Sequence, residues 1–462
     1  MAGSHALREP PLILPDWAGK LPAEWNWHKL EEVCIEVVDC PHSTPELVEA
    51  GPYLMARTSD ILTGVFRAHE ARRVSEATYR ERTRRAEPTC GDLLYSREGT
   101  YFGLSAEVPP DIKVCLGQRM VLLRPDPQKV QPTYLRYWLN SSRIQSHIHG
   151  QRDGSVAERL NLPTIRGLPV CIPSLDEQRA IAHALATLDD KIELNRRMNE
   201  TLAAIARVLF KSWFVDFDPV RAKVEGRDSG LPKPLADLFP NRFEDSELGE
   251  IPKGWEPATI GDVCEVIDCL HSKKPKRRAL GEPLLQLSNI RNDGLIDMTD
   301  NYWIDASDYK QWVSRMEASS GDCVITNVGR VGAVAQIPHE FRAGLGRNMT
   351  GVRCRVSFPY PTLLIECLLS ESMRDEIALR IDSGTILDAL NVRSIPNLRF
   401  VKATGSVVEQ FEARVRPIRK RMEDALAESH TLAAVRDTLW PKLISGELRL
   451  KDPGKRLEEP GF

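Results

Sequence analysis

The sequence predicts an α+β protein made of two copies of one domain, each copy followed by a long helix. Three observations predict it. The first is an internal repeat. "LPAEWNWHKLEEVC" (21–34) aligns with "IPKGWEPATIGDVC" (251–264), so Trp25 falls on Trp255 and Cys34 on Cys264. The turn "DCPHSTPE" (39–46) returns as "DCLHSKKPK" (268–276), and "GDLLYSREG" (91–99) returns as "GDCVITNVG" (321–329). "GQRMVLLR" (117–124) matches "GRNMTGVR" (346–353), and "GSVAERLN" (154–161) matches "GTILDALN" (384–391). Order and spacing hold throughout, which marks one duplicated unit rather than a solenoid of short repeats. The second observation is a mixture of short elements punctuated by Gly and Pro inside each copy. The third is an apolar heptad stripe after each copy.

Within a copy, "DVCEVID" (262–268), "MVLLRP" (120–125) and "GDCVITN" (321–327) read as strands. "PTYLRYWLNSSRIQSHI" (132–148) and "PTLLIECLLSESMRDEIALRI" (361–381) read as helices. Each opens on a proline, whose missing N–H is harmless in the first turn. Strands and helices alternate irregularly, which fits α+β better than a doubly wound sheet.

A central helix is predicted from about Asp176 to Phe214, opened by the Ser174–Glu177 capping box. Its apolar seam is Ile181, Leu185, Leu188, Ile192, Leu202, Ile205 (or Ala206) and Leu209, interrupted by Asn195 and Asn199. A distal helix is predicted behind the second copy, opened by Ser406 and Glu409. Its seam is Phe411, Val415, Ile418, Met422, Ala425, Ser429, Leu432 and Leu439, and Pro417 should kink it or mark its start. Such stripes suit an amphipathic helix on its own domain. The stronger reading pairs the two helices with each other as a coiled coil, with the polar break fixing register. The segmentation is therefore a tail (1–20), a domain (21–173), the central helix (174–215), a linker rich in Pro, Gly and charge (216–250), a second domain (251–403), the distal helix (404–440) and a tail (441–462).

At 462 residues the chain is too long for one core. Its net charge of −3 requires any nucleic-acid surface to be a local basic patch. Ten cysteines lack paired zinc-finger spacing, and neither a signal peptide nor a membrane-length apolar run is visible. The reading is a soluble cytoplasmic protein with reduced thiols and no membrane partner. Catalytic signatures are missing as well: there is no phosphate loop, no methyltransferase cofactor loop and no Ser-His-Asp set. The D-x-K triplets at Asp111–Lys113 and Asp189–Lys191 lack a well-placed second acid. Cys34, Cys40 and His42, like Cys264, Cys269 and His271, fall one ligand short of a zinc site, so no metal is expected.

These stretches resemble the specificity subunit of Type I restriction–modification systems. "IPSLDEQRAIAHALATLDDKIELNRRMNETLAAIARVLFKSWFVDFDPVRAK" (172–223), "SELGEIPKGW" (246–255) and "LWPKLISGEL" (439–448) carry the resemblance, with the two Asp-x-x-His turns. The second helix start, "VKATGSVVEQ", departs by lacking the Pro of "CIPSLDEQ". The resemblance implies two target-recognition domains, each reading one half of a split site in double-stranded DNA. It implies a pseudo-two-fold arrangement in which two antiparallel coiled-coil helices hold the domains apart and dock two modification (methyltransferase) subunits. Restriction (motor-nuclease) subunits complete such complexes. No catalytic residue and no cofactor is then expected on this chain; S-adenosylmethionine, ATP and Mg belong to the partner subunits. A self-sufficient methyltransferase or nuclease, and a coiled-coil scaffold without a DNA role, are the competing readings.

DNA reading needs phosphate donors for position and base-edge contacts for specificity. Positions that match between copies should serve the fold or the phosphates; positions that differ should carry two different half-sites. His42 and Ser43 match His271 and Ser272, and suit either a phosphate contact or a structural turn. The divergent candidates are Arg57, Arg97, Thr100, Tyr101, Gln118 and Arg119 in the first copy. Gln286, Asn327, Arg330, Val331, Arg347 and Asn348 oppose them in the second. In "SKKPKRR" (272–278), Lys273, Lys274, Lys276 and Arg277 are candidate phosphate contacts.

Overall fold

The computed structural model describes residues 12–61, 64–99, 101–150, 159–382 and 388–450. Thr100 lies outside the described residues, as does most of the 154–161 and 384–391 match. The chain divides into two compact units, residues 1–191 with 432–462, and residues 192–431.

In the first unit a four-stranded antiparallel sheet runs in the order Cys34–Asp39, Met120–Pro125, Leu93–Ser96, Ser105–Glu107. Its side chains alternate between two cores, as the two-residue period of a strand requires. Leu93, Tyr95, Val121 and Leu123 enter the core that holds the helices. Leu94, Met120 and Leu122 enter the other. That second core is closed by a sheet in the order Leu47–Val48, Arg72–Val74, Tyr53–Ala56, Lys113–Leu116, whose last two strands are parallel.

The second unit repeats the plan. Its main sheet is Cys264–Asp268, Met349–Cys354, Cys323–Thr326, Val334–Gln336, and its second sheet is Trp303–Ile304, Glu282–Leu285, Arg342–Leu345, Ala318–Ser319. Cys323 and Ile325 face the helical core while Val324 faces the other. Both predicted domain helices break once, at Ser141 and at Ser370. The Ser370 hydroxyl accepts the Met373 N–H, so that serine caps a new helix instead of continuing the old one.

The central helix spans Leu175–Phe214 and the distal helix Gly405–Ile444. Ser174 Oγ accepts the Glu177 N–H at 3.3 Å, as the capping box requires. The distal box does not form at its predicted place. The helix starts at Gly405, where the Thr404 carbonyl takes the Val407 and Val408 N–H groups, and Ser406 lies inside it. Pro417 is exposed within this helix and does not mark its start.

Each unit receives the opening of one long helix and the close of the other, so within each unit the two run antiparallel. In the first unit Ile181 and Leu185 share a core with Leu443 and Ile444. In the second, Ala206 and Phe210 share one with Phe411 and Val415. Met422 and Ala425 are fully buried, and Leu188, Ile192, Leu202, Leu209, Ile418, Leu432 and Leu439 are half-buried. Ala206 occupies the seam and Ile205 faces outward. The polar break is built as the heptads suggest. Asn195 Nδ2 donates to the Ala425 carbonyl, Glu428 and Ser429, and Asn199 Nδ2 donates to the Met422 carbonyl at 3.1 Å.

Three segment assignments need correction. Residues 12–20 are not a tail, because Trp17 packs at a tilt against Trp27 and Trp138. Residues 441–450 are not one either: Leu443 and Ile444 are core, and Arg449 pairs with Glu24 and Glu177. The 216–250 linker is folded. It contains helices Asp218–Val224 and Lys233–Ala236 and the hairpin Phe243–Ser246/Gly249–Pro252, and it buries Phe217, Val220, Leu235 and Phe239. Its polar composition concealed a few well-spaced apolar anchors.

Candidate nucleic-acid interface

Both copies build the same turn by the same means. The Gly117 N–H donates to the Ala56 carbonyl at 2.8 Å, and the Gly346 N–H to the Leu285 carbonyl at 3.0 Å. A Cβ on either glycine would lie 2.5 or 2.2 Å from that oxygen, so only glycine fits. Two residues on, Arg119 and Asn348 are both left-handed, with φ of 70° and 64°. Their carbonyls accept the N–H of Arg97 and Asn327. The turn thus ties together residues from three distant stretches, and its variable side chains are Gln118 and Arg119 in one copy, Arg347 and Asn348 in the other.

The Asp-Cys-x-His-Ser turn is also shared. His42 Nε2 lies 3.2 Å from Asp39 Oδ2, and His271 Nε2 lies 2.9 Å from Asp268 Oδ2. Both imidazoles are exposed. A buried arginine holds the first turn: Arg82 donates to the Ser43 and Pro41 carbonyls and reaches Ser43 Oγ at 3.3 Å. In the second copy Arg315 donates to the Cys269 carbonyl and lies 3.6 Å from Asp268. Asp268, Cys269 and His271 each place a ligand atom within 4.8 Å of the others. They make a poor cation cage: the Arg315 charge adjoins, and burial pushes the Cys269 thiol up.

Several divergent candidates turn out to be committed to the fold. Arg57 forms a two-armed pair with the buried carboxylate of Asp60, at 3.0 and 2.7 Å. Arg97 is half-buried and donates to Asp39 at 2.6 Å. Asn327 is buried; its amide donates to the Leu390 carbonyl and its oxygen accepts from Thr350. Gln286 binds its own backbone neighbours. The remaining candidates are less committed. Tyr101 is exposed, Gln118 reaches Thr44 Oγ1 at 3.1 Å, and Arg119 is only loosely paired with Glu98. Arg330 is exposed and donates to the Ile290 carbonyl and Asn292.

In the second unit several candidates converge with buried and half-buried neighbours. Lys274, Gln286, Ser288, Trp312, Arg347 and Asn348 line one cavity of about 310 Å³. Lys274 lies over the Tyr302 ring at 4.2 Å, and Arg277 pairs with Asp300 at 2.5 Å. Lys273, Lys276 and Arg347 are exposed and make no ion pair among the described residues. Sequence reading missed Tyr302 and Asp300, because nothing local ties them to a basic run some 25 residues earlier. It also missed Asp39 and Asp268 as anchors of the histidines, although their recurrence in both copies was the available signal.

Residues 22–204 match the family model described as the Type I restriction modification DNA specificity domain. Over these residues the chain is similar to the Type I restriction–modification specificity family. Relatives named as specificity subunits align along the rest of it. The Type I restriction enzyme HindI specificity subunit of Haemophilus influenzae is 25% identical over 78% of this chain and 86% of its own. The MjaIX specificity subunit of Methanocaldococcus jannaschii is 25% identical over 94% of this chain and 96% of its own. The crystal structure of a Type I system S subunit from M. genitalium shares the fold, with a TM-score of 0.58 and 15% identity, covering 92% of this chain and 98% of that one. Among the described residues, no helix is long and apolar enough to cross a membrane.

Proposed function

We propose that this chain chooses the DNA sequence for a Type I complex, with each domain reading one half of a split, asymmetric site. The observation that carries this reading is the shared turn: one scaffold, at 117–119 and 346–348, presents Gln-Arg in one copy and Arg-Asn in the other. Matching backbone with differing donors is what two half-sites of different sequence require. The exposed Lys273, Lys274 and Lys276 supply sequence-independent phosphate attraction.

The long helices set the spacer between half-sites and dock two methyltransferase subunits. Leu194, Ile205 and Val208 on the outer face of the central helix support this, since each is about half exposed or more. S-adenosylmethionine, ATP and Mg act on the partner subunits, the restriction subunits included, and the complex works in the cytoplasm. The test is to copurify the chain with its modification subunit and map methylated adenines across a random-sequence library. The expected result is a two-part motif with an unread spacer of fixed length. A single contiguous palindrome would sink the reading, and so would binding of S-adenosylmethionine to the isolated chain by calorimetry.

A further inference from the structure

The two copies differ at one apolar site that shares no residue with the candidate DNA turns. In the first unit three tryptophans fill it. Trp17 lies 5.9 Å from Trp27 and 6.1 Å from Trp138 between ring centroids, and Trp27 lies 5.7 Å from Trp138. The second unit has lost all three indoles. Trp27 sits opposite Cys171 in its strand pair; Pro257 takes that place, opposite Val401. Trp138 is the seventh residue of its helix; Cys367 is the seventh of the matching one. Glu247 and Leu248 stand where Trp17 and Ala18 stood before the matched "LPAEW" and "IPKGW". What remains is an open cavity of about 330 Å³, walled by Phe214, Leu248, Cys367 and Phe400, with Ser372 and Asp375 among its lining.

The charges have changed too. Arg143 places its guanidinium 5.8 Å from the Trp17 ring. Ser372 takes the place of Arg143 in the second unit, and Glu371 takes that of Ser142. Asp375 is exposed and makes no ion pair among the described residues. The indole and the arginine beside it are therefore both missing; the cation in the lining, Arg399, is paired with Glu376 at 2.8 Å, which leaves Asp375 as the lining acid without an ion pair among the described residues.

We propose that this cavity receives an aromatic side chain, flanked by a basic residue, from a protein partner in the assembled complex. In the first unit the segment around Trp17 supplies such a group from the chain itself. In the second no described segment does. A cavity of this size lies at the lower end of the range that holds compact ligands, about 300–1,000 Å³. A tryptophan side chain buries roughly 150–250 Å². A neighbouring Lys or Arg would meet Asp375 and restore the cation beside the ring. The inference goes beyond DNA reading and fails independently of it.

The test uses the full-length chain and N-acetyl-tryptophanyl-lysine amide carrying 5-fluorotryptophan, followed by fluorine NMR, with the leucyl peptide as competitor control. The tryptophan peptide should bind. Leu248→Trp, which plugs the cavity from its own hairpin, should weaken binding at least about fivefold, and Asp375→Asn at least about twofold at low salt. Should Leu248→Trp not fold, Ser372→Trp serves as the second plug. No binding at millimolar peptide, or equal binding to a folded plugged variant, overturns the proposal. A photoreactive benzophenone at position 372 should then crosslink the modification subunit at an aromatic-containing peptide. Adducts only between copies of this chain would overturn the choice of partner.

Discussion

Replacing Arg419 by methionine tests how the distal helix holds the second candidate interface. Arg419 is 3% exposed. Its Nη1 donates to the Asp293 carbonyl at 3.0 Å and lies 3.5 Å from Glu366 Oε1; its Nη2 donates to the Gly294 carbonyl at 2.8 Å. The same loop gives Ile290 and Asn292 to Arg330. Methionine fills similar space but leaves Glu366 buried without its cation and two carbonyls without their donors. Breaking a buried pair from one side costs about 3–5 kcal/mol. The pH dependence identifies the charge component. Burial holds the Glu366 carboxyl above its ordinary value, so the folded state keeps its proton where the unfolded chain has lost it. Such an acid costs nothing below the unfolded value of about 4.3. Its cost grows by about 1.4 kcal/mol per pH unit up to the folded pKa and is constant above it. Losing Arg419 lifts the folded pKa further, so the variant's deficit should be larger at pH 8 than at pH 5. Urea unfolding of the 192–431 transition at both pH values measures it. A deficit below about 1 kcal/mol, or one that is the same at both pH values, would refute the reasoning.

Three further outcomes follow from the interface. Arg347→Ala should relax one half-site and Arg119→Ala the other, each by about 1–3 kcal/mol per lost base contact, as read by methylation mapping. Lys273→Ala with Lys276→Ala should weaken binding to every sequence and flatten the salt dependence by about one unit of slope per lost phosphate contact, as read by titrations at several salt concentrations. Gly346→Ala should destabilise the second unit and abolish reading of its half-site, because the new Cβ would meet the Leu285 carbonyl backbone at 2.2 Å; an intact melting temperature would contradict this.

The sequence by itself determined the duplication, the strands at 120–125, 264–268 and 323–326, the domain helices and the heptad seam. Those signals are local or periodic. Leu93, Leu94, Tyr95 and their neighbours record a two-sided sheet in consecutive residues. Ile181, Leu185 and the Asn195–Asn199 break record a paired helix in the same way. Even the Arg57–Asp60 pair was within reach, since its partners are three residues apart. Only the tertiary structure decided which donors are spent. Asn327 is taken by Leu390, and Arg97 by Asp39, each some 60 residues away, and no periodicity records such a pairing. The tertiary structure also drew 12–20 and 441–450 into one core from opposite ends of the chain. A side chain's type fixes what it can bond, but its distance from a competing partner inside the fold fixes whether that capacity is left for DNA.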